Sequence, residues 1–175
     1  MAFSDHRRAV WSGFIFLLLG ILACVAQAQA YRVIRVYDGD TLRIAGPGGD
    51  EVIRLIGIDC PEISKVKGIP SQPYSRKAKK FLKQQVAGGS LELKTYGRDR
   101  YARVLAEVWV DGRNVNLALV AAGLAEVYRG RVPLDFSKQP YLAAQKEARR
   151  AKRAMWSLGD RYEPPVVWKN RQPKP

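Results

Sequence analysis

The sequence is poor in two residue types on which hydrolytic and redox sites are often built. Histidine occurs once, as His6, and cysteine twice, as Cys24 and Cys60. His6 and Cys24 both fall within residues 1–30, a stretch with the marks of a removable secretory signal. His6, Arg7 and Arg8 make a short basic start, and Val10 to Val25 is mostly apolar, densest from Phe14 to Leu19. Ala26-Gln27-Ala28 and Ala28-Gln29-Ala30 both fit a small-x-small cleavage site. Two readings compete: an uncleaved membrane anchor, since about 18 apolar residues span a bilayer, and a lipid attached at Cys24 through Ile21-Leu22-Ala23-Cys24. Ser12, Gly13 and Gly20 thin the apolar run, and the small-residue exit favours cleavage. The mature chain is then expected to be secreted or periplasmic, touching the membrane only through its signal.

Without residues 1–30 the chain has no histidine, which excludes Ser-His-Asp, Cys-His and histidine-zinc hydrolysis. It keeps one thiol, Cys60, and can close no internal disulfide, so an exported protein must here be stable by packing alone. Acidic residues are scarce as well: 16 against 30 basic, a formal net charge of +14. Loss of Arg7, Arg8 and Asp5 with the signal leaves 28 basic and 15 acidic residues, or +13. Such a field favours polyanionic partners: nucleic acid, anionic membrane or acidic polysaccharide. About 145 remaining residues are a normal length for one domain with a real core.

The apolar pattern gives an element order. Tyr31 to Val36 alternates as a strand, Asp38-Gly39 signals a tight turn, and Thr41 to Ala45 returns. Gly46 to Asp50 is a loop, and Glu51 to Ile58 is a third strand, with Gly57 and Pro61 marking where it bends and stops. Pro73 to about Val86 reads as a basic amphipathic helix ended by Gly88-Gly89. Ser90 to Tyr96 and Val104 to Val110 are strands, and Asn114 can cap a helix from Val115 to Ala122 that Gly123 stops. Ser137 is predicted to cap a long helix reaching about Ser157, with Tyr141, Ala144, Ala148, Ala151 and Met155 toward the core. Residues 159–175 form a basic, proline-rich tail expected to be disordered. Five short strands, with a helix between the third and fourth and about three helices in all, suit a mainly β, α+β fold: a five-stranded OB-fold barrel whose closure would hide the strand edges.

Three segments can carry chemistry. Asp38-Gly39-Asp40-Thr41 is explained by turn formation alone, and Asp59-Cys60-Pro61-Glu62 by a strand end before proline. Together they place acidic groups at two strand ends of a basic protein, and a cluster of these would be costly without a cation in it. Arg54 lies within the apolar run Val52 to Ile58, where an arginine needs a partner or a route to water. Arg54 and Asp59 are five residues apart, so regular alternation puts them on opposite faces. They share a site only if the strand departs from regularity, and Gly57 is the place for it. The third segment is Asp99-Arg100-Tyr101-Ala102-Arg103. It reads either as a solvated basic loop or as a phosphate-binding one, with Arg100 on phosphate and Tyr101 stacked on sugar or base.

These segments, together with Asp111-Gly112, Asn116-Leu117 and Ala154-Met155-Trp156-Ser157, fall in an order and spacing that resemble the staphylococcal nuclease, or thermonuclease-like, family over residues 31–158. The resemblance implies an OB-fold barrel and Ca2+-dependent hydrolysis of DNA and RNA, with attack that leaves 3′-phosphates. By that resemblance Asp40 and Asp59 would supply metal oxygens and Cys60 its backbone carbonyl, in a position where the family often has threonine. Glu62 would orient or deprotonate water, Arg54 and Arg103 would grip the scissile phosphate, and Asp38 would act on the metal through its neighbours. Ala102 stands where the family often has glycine, and Tyr128 is the one near match to the tyrosines of the nucleotide pocket. The implied protein is a monomer with DNA and RNA as partners. Two other readings remain: a non-catalytic nucleic-acid-binding OB module, and a basic surface protein for polyanions.

Overall fold

The computed structural model describes residues 31–171; the expected signal segment and residues 172–175 lie outside them. The first strands are β1 (Arg32–Val36), β2 (Thr41–Gly46) and β3 (Gly49–Leu55), an antiparallel meander, followed by a two-residue β4 (Ile58–Asp59). Helix α1 (Ser75–Gln85) leads to β5 (Leu91–Arg98) and β6 (Val104–Val110), which pair antiparallel. A short β7 (Arg113–Asn114) runs into α2 (Val115–Ala121), then come β8 (Glu126–Val127) and α3 (Gln139–Arg150). A 3₁₀ segment (Ala154–Arg161) and α4 (Pro165–Arg171) complete the described chain.

The long strands run in the order β1-β2-β3-β6-β5, with β3 parallel to β6. A parallel pair needs a crossover, and α1 supplies it. This is the strand order and mixed sense of an OB fold, as expected from the pattern of five strands interrupted by one helix. Alternation explains the core. Leu42, Ile44, Ile53, Leu55, Ala106 and Val108 point inward and are buried, while Arg54 and Leu105 between them face outward and are only half-buried. No ladder joins β1 to β5 among the described residues, so hydrogen bonding does not hide those two edges. At that seam a cleft of about 650 Å³ runs between β1 and the end of α1, lined by Arg32, Arg35, Lys79 and Lys83.

The caps of α2 follow the sequence. The Asn114 side chain accepts a bond from the Leu117 amide (2.9 Å), and Gly123 has φ +71. A Cβ on Gly123 would also lie 2.4 Å from the Arg153 carbonyl oxygen, so glycine is required there for space as well as for conformation.

Two expectations are corrected. The helix predicted from Ser137 to Ser157 is shorter. It spans Gln139–Arg150 after Lys138, without a side-chain cap, and the chain unwinds through positive φ at Lys152 and Ala154. Tyr141, Ala148 and Met155 are buried, but Met155 returns to the interior from the 3₁₀ segment, Ala144 is only partly buried and Ala151 is exposed. The three-or-four spacing could not register that break, because both pieces offer an apolar face to the same core. The tail expected to be disordered contains the fourth helix, α4, with Pro165 buried at its start. Trp168 packs beside Pro61, Pro73, Leu158 and Tyr162, an apolar anchor that the surrounding prolines and charges outweighed in the sequence. No helix among the described residues is long and apolar enough to cross a membrane.

Asn116 ties α2 to the sheet. Fully buried, it accepts from the Val108 amide (3.0 Å) and donates to the carbonyls of Ile56 (3.0 Å) and Ala106 (3.1 Å). Asn116→Ala removes this partner from the Val108 amide and the Ile56 carbonyl, while the Ala106 carbonyl still accepts the Ile56 amide (3.0 Å), at about 1–3 kcal/mol for each group left unpaired. Denaturant unfolding is expected to show a loss of at least about 2 kcal/mol with little change in slope.

Candidate active site

The site is built where β3 ends. After Leu55 the chain turns at Ile56-Gly57, with Gly57 at φ +76, and resumes as β4. A Cβ on Gly57 would meet the Phe136 ring at 2.1 Å, so this turn depends on glycine. The turn breaks the alternation that would have sent Arg54 and Asp59 to opposite faces. The Arg54 guanidinium bonds Asp59 Oδ1 through Nη2 (2.8 Å) and pairs through Nη1 with Asp40 Oδ1.

Asp40 arrives from the β1–β2 turn and is almost fully buried. Its Oδ2 accepts the Cys60 amide (2.8 Å), Thr41 Oγ1 donates to its Oδ1 (3.1 Å), and its own amide donates to Asp38 Oδ1 (3.1 Å). The turn lies tight on its neighbours. A Cβ on Gly39 would sit 2.7 Å from Cys60 Cβ and 2.8 Å from Ala78 Cβ. Asp38, Asp40, Arg54, Asp59, Cys60 and Glu62 are therefore brought together.

Burial pushes the Asp59 carboxyl up. The charge and hydrogen bond of Arg54 oppose this, as does the charge of Lys169, while Glu126 adds to it. Burial also pushes the Cys60 thiol well above its usual range. Arg54 opposes that rise, and the Asp38, Asp59 and Glu62 carboxylates add to it.

The fit to a metal follows from the donors. Asp40 and Asp59 grip one guanidinium from two sides, so both can reach a single small cation, and carboxylate oxygens suit a hard one. Among the described residues no group of three or more His, Cys, Asp and Glu side chains is arranged to hold a metal. Remaining donors would have to come from main-chain carbonyls such as that of Cys60, and from water.

Arg103, Arg100 and Tyr101 do not touch this cluster. Leu105 lies beside Arg54 in the β3–β6 register, so Arg103, two residues earlier, falls on the Arg54 face one pleat along. Asp99 clamps it: Oδ2 accepts Arg103 Nε (2.8 Å) and Nη2 (2.6 Å), and Oδ1 accepts the amides of Tyr101 (2.9 Å) and Arg103 (3.1 Å). Burial alone would raise Asp99; these hydrogen bonds outweigh it and hold the carboxyl below its usual range. Arg103 Nη1 has no partner among the described residues. Tyr101 is exposed, with the Arg100 and Arg103 guanidinium carbons 4.9 and 5.4 Å from its ring centre. Ala102 holds φ +60, a left-handed conformation that glycine adopts with less strain. Tyr128 follows β8, which pairs with β4, and its amide donates to the Gly57 carbonyl (2.9 Å), while its exposed ring lies against Gly130 with Lys138 Nζ 6.0 Å from the ring centre.

Four further residues shape the site and were not singled out from sequence. Asp99 is the arginine clamp, and its signal was an acid four residues before the arginine that it grips. Glu126 is buried opposite Asp59, bonded by Arg129 (3.0 Å) and Tyr162 (2.6 Å); an acid inside the apolar run Leu124 to Val127 was its signal. Gln72 and Lys169 contact Glu62 from far along the chain, and no local pattern announces either.

The buried thiol of Cys60, kept protonated by burial, is expected not to react with a thiol reagent at pH 7–8 until the chain unfolds. Labelling that tracks the denaturation midpoint is the expected result; rapid labelling of the folded chain would contradict this burial.

Comparison with known proteins follows the geometry. A family model described as "Staphylococcal nuclease homologue" matches residues 52–158, more than half of the chain. An uncharacterized endonuclease of Escherichia coli is 38% identical over 143 residues, covering 81% of this chain and 85% of that protein. The thermonuclease of Staphylococcus hyicus is 37% identical over 134 residues, covering 75% of this chain and 78% of its own. An uncharacterized endonuclease of Haemophilus influenzae is 30% identical over 169 residues, covering 95% of this chain and 88% of that protein. By the extent of these matches, the chain belongs to the staphylococcal nuclease homologue family.

Proposed function

We propose that the chain is an exported, Ca2+-dependent endonuclease that cuts DNA and RNA and leaves 3′-phosphates. Membership of a nuclease family makes phosphodiester hydrolysis the reaction and nucleic acid the substrate class. One observation carries the finer reading: the buried carboxylates of Asp40 and Asp59 converge on one arginine, with Glu62 three residues beyond Asp59. A bound Ca2+ would polarise the phosphate and offset its charge. Asp40, Asp59 and the Cys60 carbonyl would hold it, and Asp38 would fix Asp40 through the Asp40 amide.

The chain's own residues do the rest. Arg54 would offer its fork to phosphate oxygens where a cation balances the two carboxylates in its place. Arg103, aimed by Asp99, offers the unpartnered Nη1 to the same phosphate. Both would bind more strongly as charge builds on those oxygens. Glu62 accepts a proton from water or orients it, the role left to a carboxylate where histidine is absent. Tyr101 and Tyr128 give flat faces to sugars or bases, and Arg100 an additional phosphate contact. Helix α1 carries Arg76, Lys77, Lys79, Lys80 and Lys83 and no acid, so the field that draws the polyanion is concentrated beside the site. Export rests on residues 1–30, and the DNA and RNA range and the 3′-phosphate on the family resemblance.

Arg54→Ala or Arg103→Ala is expected to lower the turnover of single-stranded DNA about 100- to 1,000-fold, by analogy with removal of one oxyanion donor. Initial rates with saturating Ca2+ measure this, and values within a few-fold of the parent would remove the residue from the site. EDTA is expected to abolish cleavage, with Ca2+ restoring it.

Affinity for single-stranded DNA is expected to fall linearly on a log–log salt plot. Each phosphate neutralised adds about 0.7 to the slope. A flat salt series would refute attraction by the basic surface.

A further inference from the structure

The segment beyond the family match crosses back over the active site. Tyr162 donates to Glu126 (2.6 Å), which stands opposite Asp59. Gln72, itself buried, joins the segment to the loop that carries Glu62. Its Nε2 donates to the Glu163 carbonyl (2.7 Å), its Oε1 accepts the Glu62 amide (3.0 Å), and its own amide donates to the Glu62 carbonyl (2.9 Å). Trp168 of α4 lines a small cavity together with Pro61 and Pro73, and Arg171 pairs with Glu163 (2.7 Å). From this helix Lys169 Nζ reaches Glu62 Oε1 at 2.9 Å. Glu62 Oε2 has no partner among the described residues.

We propose that Lys169, supplied by the C-terminal helix, is a positioning residue for Glu62: it holds one carboxylate oxygen and leaves the other free to take a proton from water. The inference rests on the reading of Glu62 as the residue that handles water. A glutamate on a loop has several rotamers to choose among, and a base must present one oxygen in one direction. Main-chain bonds through Gln72 fix where Glu62 starts, and the ammonium fixes where its side chain ends. The other possible roles of the contact differ in kind. A latch would block Glu62, so its removal would raise kcat, and a substrate contact would show in KM. The contact at Oε1 leaves Oε2 open, which favours positioning. An ion pair with an exposed lysine is weak, so the effect is modest: roughly fivefold in rate for a pair of that strength.

The test uses the full mature chain with saturating Ca2+ and single-stranded DNA. Lys169→Ala is expected to lower kcat about fivefold with KM within twofold of the parent. Lys169→Arg should restore most of that loss, and Arg171→Ala, which touches Glu163 and not Glu62, should change nothing. In a Glu62→Gln background Lys169→Ala should have no further effect, since the two residues act as a unit. Amide exchange at Glu62 and Gln72 should stay slow in Lys169→Ala, showing that the segment is still docked. An unchanged or raised kcat, an effect confined to KM, an equal loss in the Glu62→Gln background, or faster exchange at these amides would each overturn the proposal. Full activity of Glu62→Gln by itself would instead strike the assignment of Glu62, on which the proposal rests.

Discussion

Two carboxylates buried beside one arginine constrain the rest of the molecule. Asp40 and Asp59 have left water, and a buried charge that loses its partner costs about 3–5 kcal/mol. Arg54 must therefore reach both, and several unrelated features of the chain make this possible. The strand stops at Leu55 so that the chain can turn. Gly57 permits the turn under Phe136. Gly39 carries no side chain, so the Asp40 turn can rest on Cys60 and Ala78. The Cys60 amide caps the other oxygen of Asp40. Each feature reads locally as ordinary turn chemistry. Their common purpose appears only when the two acids are seen on one guanidinium.

The same arrangement explains how one residue can serve both the free and the working protein. Without a metal, Arg54 is the counter-ion that makes the acid pair tolerable. A divalent cation between the carboxylates would take over that task and leave the guanidinium for an anion. The second arginine is held differently. Asp99 binds Arg103 by two nitrogens and also fixes the amides of the loop, so Arg103 is aimed whether or not substrate is present. In the proposed reading a cation would free one arginine while Asp99 holds the other, which would divide phosphate binding between a responsive and a rigid partner. Ala102, strained at φ +60 within the Asp99 loop, shows how tightly that loop is wound.

Much of this was legible in the sequence. Period-two alternation marked the long strands, and Asn114 and Gly123 marked the ends of α2, because those signals act over a few residues. The joint between Arg54 and Asp59 could be posed as a question, since alternation forbade it and Gly57 offered the exit. The end of α3 was not legible, because Met155 keeps the helical spacing after the helix has stopped. Helix α4 was hidden because its surroundings, a cavity shared by Trp168 with Pro61 and Pro73 and the Lys169–Glu62 pair, come from about a hundred residues away, while its local composition reads as a tail. Glu126, Gln72 and Lys169 were missed for the same reason: their partners are set by tertiary contact. Arg103 marks the limit in the other direction: the register puts it on the Arg54 face, and no contact joins it to the cluster.

The end of the family match at residue 158 is a limit of sequence similarity, not of packing. Glu126 lies directly behind Asp59 in the β4–β8 pair and is buried, with one oxygen, Oε1, lacking a hydrogen-bond partner among the described residues. An acid in that position adds to the rise that burial imposes on the Asp59 carboxyl, so what neutralises Glu126 bears on the field at the candidate metal position. Arg129 supplies part of that neutralisation from within the matched region, and Tyr162 supplies a hydrogen bond from beyond it. On the opposite side Lys169 acts on Asp59 through space and on Glu62 by contact. Residues after 158 thus act on both acids that flank the candidate metal position. A domain cut after residue 158 would retain every residue assigned by family resemblance and would still lose part of the field in which those residues work.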